Sequence, residues 1–512
     1  MLRALFSILL ICLISLPLFS ADSEKFDIQA FKKSVSQRIQ KRTLKNGIRV
    51  ILMRQTQSPT IACYLKLGVG AANEPFDQAG VAHFLEHLLF KGTSVMGSRD
   101  YANEKIHLEH IETLGEKMDS LERQSQDPLL TPAQKKQIQS KIEKLTADLY
   151  SEQSKAQQFI ISEEDSQAYS LAGQVGYNAY TSSDVTNYQI KLPAHRLAMW
   201  AELESNRFID PVFREFYPER FVIKEERRMR YDSRPYAQLY ELFLKTAFGF
   251  SPYGKPVIGF EKSMHRLRLR ETREFYEKNY TPSRMVIAIV GDIQFDETFS
   301  LIEKFFGRLK SRPTAEFPPT EFEMPKGRRI AYLNAKNSPI MITGWARPNV
   351  LHEDDRSFEV LSRILGEGQT SRLIERLVKK EKIAVDIKIA TSTPGEKLAN
   401  QFTIFAEAYR SEDYAKIENA IAEELKNLRE KGPTERELAR IKSRYIAEFV
   451  HAISQNAGLA DTLSYYEVML HDYQKMFSAL EEIESVTPEM IRKLVARYFI
   501  DTSNTTVYLQ PS

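Results

Sequence analysis

Cysteine is nearly absent, with 2 in 512 residues, and that excludes a disulfide-stapled scaffold. Cys12 lies in an apolar leader, so a processed chain would keep Cys63 alone and form no intramolecular bridge. An excess of one charge is missing too. The 71 basic and 68 acidic residues leave a formal +3, with no overall footprint for nucleic acid, and no nucleic-acid partner is expected. With 9 histidines and 2 cysteines there is no surplus of soft ligands for a metal store. The apolar run at residues 4–16 is shorter than the roughly 20 residues of a comfortable membrane span. It follows Arg3 and precedes Pro17, Ser20 and Ala21, the layout of a secretory signal over residues 1–21. A periplasmic or secreted protein is expected, membrane-anchored if the leader stays uncleaved.

The remaining chain is long enough for two or more packed domains, and its patterning is α+β. Residues 48–53 and 60–69 read as strands forming a hairpin across residues 55–59. Residues 80–90 have helical character with Gly92 as a stop, and 177–192 alternate like strands before Pro193 opens another helix. Later, a helix ends at Asn279, a turn follows at 281–283, and 285–290 form an apolar strand. The C-terminus repeats this arrangement, with Phe499 standing where Tyr280 stood, an offset of 219 residues (280 to 499). A second echo relates 83–90 to 358–365, an offset of 275 (83 to 358). In a duplicated chain the difference, 275 less 219, leaves about 56 extra residues in the first half. Residues 106–156, rich in Glu, Lys, Gln and Leu, supply them as a helical hairpin. Ile111, Leu114, Met118 and Leu121 stripe one arm, Ile138, Ile142 and Leu145 the other, and Thr131-Pro132 opens the second.

The chemistry concentrates in His83-Phe84-Leu85-Glu86-His87. Histidines four apart on a helix share a face and can grip one metal ion. Glu86, on the same surface, can take a proton from a water whose pKa zinc lowers to about 7. Two histidines and a glutamate on a helix are also compatible with an ordinary polar surface. The longer stretch from Gly80 to Thr93 decides between them, because it resembles the pitrilysin and insulinase (M16, inverzincin) family of zinc metallopeptidases. The two-domain branch, bacterial and mitochondrial-processing-peptidase-like, is the nearest in pattern.

Several expectations follow from that resemblance. Asn178, Ala179 and Tyr180, with Thr181, Asp184, Thr186 and Tyr188 beyond them, look like the family's edge strand, along which substrate backbone is held. The segment 219–226 matches the helix that brings the third ligand. Glu226 aligns as that ligand and Glu219, seven residues earlier on the same face, as its supporting carboxylate. Glu225 is a rival by adjacency but points about 100° away around the helix. The implied cofactor is one Zn²⁺ per chain, and the implied substrates are peptides or unfolded protein segments. The implied architecture is two related sheet-and-helix sandwiches facing each other. Residues 38–312 would be the catalytic domain, with the hairpin at about 104–165, and 320–512 its inactive counterpart.

In the second half Phe358, Leu361 and Ser362 stand where His83, Glu86 and His87 stood, so that half cannot bind the metal. Many family members also carry an Arg and a Tyr, seven apart, that hold substrate from the inactive half. Here Val378 and Val385 occupy those positions and can donate no hydrogen bond. Either the enzyme manages without them, or a related M16-like partner subunit supplies them; a homodimer is the other possible assembly. The rival from another class is a non-catalytic structural or interaction subunit, against which the complete His83, Glu86, His87 and Glu226 set argues. His107 and His110 form a second apparent pair at i, i+3. No third ligand is recognisable for it, and the reading there is a solvated, charged helix.

Overall fold

The computed structural model describes residues 26–314, 326–500 and 502–511. The expected leader, and residues 315–319 of the expected join between domains, lie outside the described residues. The first sheet has six strands: β1 Ile39–Thr43, β2 Arg49–Arg54, β3 Thr60–Leu67, β4 Val175–Thr181, β5 Thr186–Pro193 and β6 Met285–Gly291. The second has five: β7 Arg329–Asn334, β8 Ile340–Arg347, β9 Ala384–Thr393, β10 Asn400–Ala408 and β11 Asn504–Gln510. Their orders are β1-β2-β6-β3-β5-β4 and β7-β11-β8-β10-β9. Apart from the extra β1, the two sheets are the same construction. β2 pairs parallel to β6, as β7 does to β11, and every other neighbour is antiparallel. The 219-residue offset recurs in the register, since Arg49 faces Val286 and Arg329 faces Thr505 (286 to 505).

The expected hairpin between the first two long strands does not form, because β6 lies between β2 and β3. All seven residues of β6 are buried apolar residues or glycine. A strand with no polar face needs cover on both faces and a neighbour on each edge, and the centre of the sheet provides them. Its side chains divide by parity. Met285, Ile287 and Ile289 join the core beneath the helix Val81–Leu89, while Val286, Ala288 and Val290 face the helix Asn456–Leu470 from the second half. The exchange is reciprocal. The helix Pro235–Phe248 of the first half packs Leu239, Phe243 and Phe248 against Ile342, Val507 and Leu509 of the second sheet. The two related halves therefore hold each other through swapped helices.

The hairpin consists of helices Tyr101–Ser125 and Pro132–Gln157. Thr131 caps the second arm reciprocally with Gln134, and Pro132 takes the first helical position, where its missing N–H is no loss. At the hairpin root a buried pair, Glu104 to Arg214 at 2.7 Å, joins the first turn to the loop after the helix Val81–Leu89. Arg214 also donates to the carbonyls of Lys91, Thr93 and Met96. Among the described residues, no helix is long and apolar enough to cross a membrane.

Candidate metal centre

The helix Val81–Leu89 is fixed at both ends. It starts at Gly80, whose φ of 99° suits glycine, and a Cβ there would meet the Ile258 carbonyl at 2.6 Å. The Glu74 side chain accepts from the backbone N–H groups of Gly80 (2.9 Å) and Ala82 (2.8 Å), which the helix leaves unpaired. Burial pushes this carboxyl up to about 7, against the opposing charge of Lys255 and those two donors. At the other end Arg207 donates to the Leu89 carbonyl at 2.7 Å. Glu204 (2.9 Å) and Asp165 (2.8 Å) hold Arg207 in place inside the core.

On the helix so anchored, His83 and His87 turn toward the helix Phe216–Arg227. Buried Ile223 secures that second helix against the core, and Glu219 and Glu226 emerge on one face of it. His83 Nε2 lies 4.0 Å and His87 Nε2 3.6 Å from the two Glu226 oxygens. One ligand atom from each of the three residues falls within 4.8 Å of the others. Glu225 instead pairs with Arg228 at 2.8 Å on the exposed side.

The donor set fits a zinc-like ion: two imidazoles and a carboxylate, converging from two packed helices. Burial, together with the charges of His87 and Arg230, brings His83 down to about 3, so the ring is neutral, the form that ligates. Its Nδ1 is buried without a hydrogen-bond partner, a cost of about 1–3 kcal/mol for a ring whose other nitrogen faces the shared centre. His87 differs, because its Nδ1–H donates to Glu219 at 2.8 Å, which leaves Nε2 free to ligate. Burial opposes ionisation of Glu219, but hydrogen bonds from His87 and Lys91 outweigh it and hold the carboxyl below its ordinary range. Burial pushes the Glu86 carboxyl up, and a 2.6 Å hydrogen bond from Thr181 opposes the rise.

A cavity of about 490 Å³ opens beside these groups, lined by Glu86, His87, Asn178, Ala179, Phe90 and Ile161 among others. Asn178, Ala179 and Tyr180 lie on β4, the sheet edge. Among the described residues no strand pairs with the outer side of β4, so its backbone groups are available to an extended peptide. Two neighbours had no place in the expected site, Lys91, 2.6 Å from Glu219, and Arg230, 2.8 Å from Glu226; Thr181, expected only on the edge strand, also donates to Glu86. Arg230 follows Glu226 by one helical turn, a spacing that signals their contact; Lys91 and Thr181 reach partners distant in sequence and carry no such signal. In the second half Phe358 and Leu361 are core residues, and the Ser362 hydroxyl donates to the Glu359 carbonyl. Val378 packs on the second core and Val385 is 43 % exposed on edge strand β9.

Residues 49–145 match the model of insulinase (peptidase family M16), and residues 266–445 match that of the peptidase M16 inactive domain. The chain belongs to peptidase family M16. Similar M16 relatives include the zinc protease PqqE of Helicobacter pylori, 27% identical with 92% of each chain covered. An uncharacterized zinc protease, YmxG of Bacillus subtilis, is 22% identical, with 90% of this chain and 96% of the relative covered. Among solved structures, a protease from Helicobacter pylori superposes with a TM-score of 0.74 at 25% identity, covering 92% of this M16 chain and 99% of its own. The fold is shared with the periplasmic protease PqqL of Escherichia coli, at a TM-score of 0.66 and 18% identity, over 93% of this chain and 48% of that one.

Proposed function

We propose that this M16 protein is a zinc endopeptidase acting on peptides or unfolded segments, with His83, His87 and Glu226 as the ligands of one zinc ion and Glu86 as the general base. The observation that carries the reading is the convergence of those three ligand atoms within 4.8 Å, beside a buried carboxylate that no ligand role requires. Zinc, when bound, polarises a carbonyl and acidifies a water. Glu86, shielded from solvent and raised in basicity by burial, takes the proton of the attacking water and passes it to the leaving amine. Thr181 holds that carboxylate through one oxygen and leaves the other for the proton. Glu219 fixes the His87 tautomer, and β4 aligns the peptide backbone through Asn178, Ala179 and Tyr180.

Residues 38–312 are proposed as the catalytic unit and 320–512 as its inactive counterpart, with the leader at 1–21 directing the chain to the periplasm or outside. Val378 and Val385 offer no donor to a substrate carbonyl, which favours an assembly in which a related subunit supplies those groups. The test is zinc content and cleavage of a quenched peptide library by the mature chain and its Glu86→Gln variant, with and without any relative that lacks the metal motif. Zinc in both forms, with cleavage lowered about 10²–10⁴-fold in the variant, is expected. Equal cleavage by the two forms overturns the role of Glu86. Activity that ignores the added relative overturns the shared site.

A further inference from the structure

A second group of metal-ligating side chains lies outside this centre, at the root of the helical hairpin. His107 and His110, one turn apart on the helix Tyr101–Ser125, both direct Nδ1 at Glu152 on the returning helix Pro132–Gln157. The distances to Glu152 Oε2 are 2.8 and 3.6 Å, and the three ligand atoms lie within 4.8 Å of one another. Two ligands each about 2.1 Å from one tetrahedral ion stand roughly 3.4 Å apart, so the observed pair of distances brackets the required edge. The third ligand was invisible in the sequence because it comes from the opposite arm, 45 residues from His107.

We propose that His107, His110 and Glu152 form a second binding site for a divalent transition ion of the zinc class, clamping the two arms of the hairpin together. Two imidazoles and one carboxylate are a borderline donor set, suited to zinc and not to the all-oxygen cages of calcium or magnesium. His110 is largely exposed, which leaves the fourth position to water and lets the ion exchange. Lys155 sits 2.6 Å from the other Glu152 oxygen and leaves Oε2 to the two rings. The position matters for the first site. His107 stacks on Phe159, with centroids 6.0 Å apart, and the next residues, Ile160 to Asp165, line the cavity that also holds Glu86 and His87. An ion between the arms steadies the segment that feeds into that cavity wall.

The experiment uses the untagged full chain, equilibrated with micromolar zinc sulfate and assayed for bound zinc by mass spectrometry. Two ions per wild-type chain are expected, and one in each of His110→Ala, Glu152→Gln and the double variant His83→Ala/His87→Ala. Losing one of three ligands weakens the second site by more than about tenfold. His110 is exposed, so its replacement leaves the fold intact, which circular dichroism checks. In the His83→Ala/His87→Ala background, zinc is expected to slow proteolysis at the hairpin tip, and adding His110→Ala removes that protection. Zinc content unchanged by both His110→Ala and Glu152→Gln overturns the proposal. So does a wild-type chain that takes up no ion beyond those lost in His83→Ala/His87→Ala. Because the two sites are ablated separately, failure of the catalytic-centre reading and failure of the clamp give different stoichiometries.

Discussion

Replacing Glu219 by glutamine tests the proposed metal centre through a residue that is not one of its proposed ligands. The substitution keeps the shape of the side chain and removes its charge. Two contacts change: the 2.8 Å acceptor for His87 Nδ1–H becomes neutral, and Lys91 loses its 2.6 Å partner but keeps Glu215 at 3.4 Å. A hydrogen bond to a charged group is worth about 1.5–3 kcal/mol, against about 0.5–1.5 for a neutral one. Loss of such a partner ordinarily weakens metal binding about 10–100-fold, or roughly 1.4–2.7 kcal/mol. Zinc affinity measured by competition with a chelator is therefore expected to fall by that factor, while turnover at saturating zinc falls much less. Glu215→Gln is the control, since Glu215 reaches Lys91 and not His87; its zinc affinity is expected to stay within about threefold of wild type, the scale of a surface ion pair. A folded Glu219→Gln protein with wild-type zinc affinity would refute the claim that this carboxylate orients His87.

Arg214→Met strands buried Glu104 and three loop carbonyls, so urea unfolding is expected to show a loss of about 3–5 kcal/mol; a loss below about 1 kcal/mol contradicts the account of the hairpin root. Burial raises Asp119 to about 6, against the charges of Arg268 and Arg220, whereas an unfolded aspartate titrates near 3.9. Between pH 4 and 6 the folded chain keeps a proton that the unfolded chain releases, so this contribution to stability is present below pH 4 and lost as pH rises through about 6. Asp119→Asn is expected to gain on wild type steadily from pH 4 to 6 and to hold that advantage above; a pH-independent difference in chemical denaturation rules the mechanism out.

The residues of the candidate metal centre could be picked out in advance because both of its halves are local. His83, Glu86 and His87 lie within one helical turn and a fraction, and Glu219 and Glu226 within two turns of another helix, so spacing alone places each set on one face. That the two faces meet came from the family resemblance and not from the periodicity. Contacts distant in sequence stayed hidden. The pattern at 48–69 reads as a hairpin, yet β6 separates the two strands more than 200 residues later in the chain, and nothing local records such an insertion. Glu152 completes a cluster with His107 and His110 only because the hairpin arms pack in one register, which the sequence stripes constrain too loosely to pair individual residues. The duplication could be read in advance because the offset of 219 is carried by a helix, a turn and a strand together, and the register of the two sheets repeats it.

That duplication also bears on why a half without metal ligands remains in the chain. The helix Asn456–Leu470 buries Leu459, Leu463 and Tyr466 against the face of the first sheet opposite the helix that bears His83 and His87. Without it, Ile51, Tyr64, Val286 and Val290 would meet water, and each apolar side chain so exposed costs about 1.5–3 kcal/mol. The polar contacts across the same seam lead toward the site. Lys66, buried in β3, is 2.5 Å from Asp461 of that helix, 2.8 Å from Asn187 on β5 and 3.2 Å from the hydroxyl of Tyr180 on edge strand β4. Removing Asp461 would leave the Lys66 ammonium buried with neutral partners alone, and burial already lowers its pKa against the pull of Asp461. On the proposed reading the second half would act on the candidate site without chemistry of its own: it covers the back of the sheet beneath the helix of His83 and His87, and through Asp461 and Lys66 it holds the strand on which a peptide would lie.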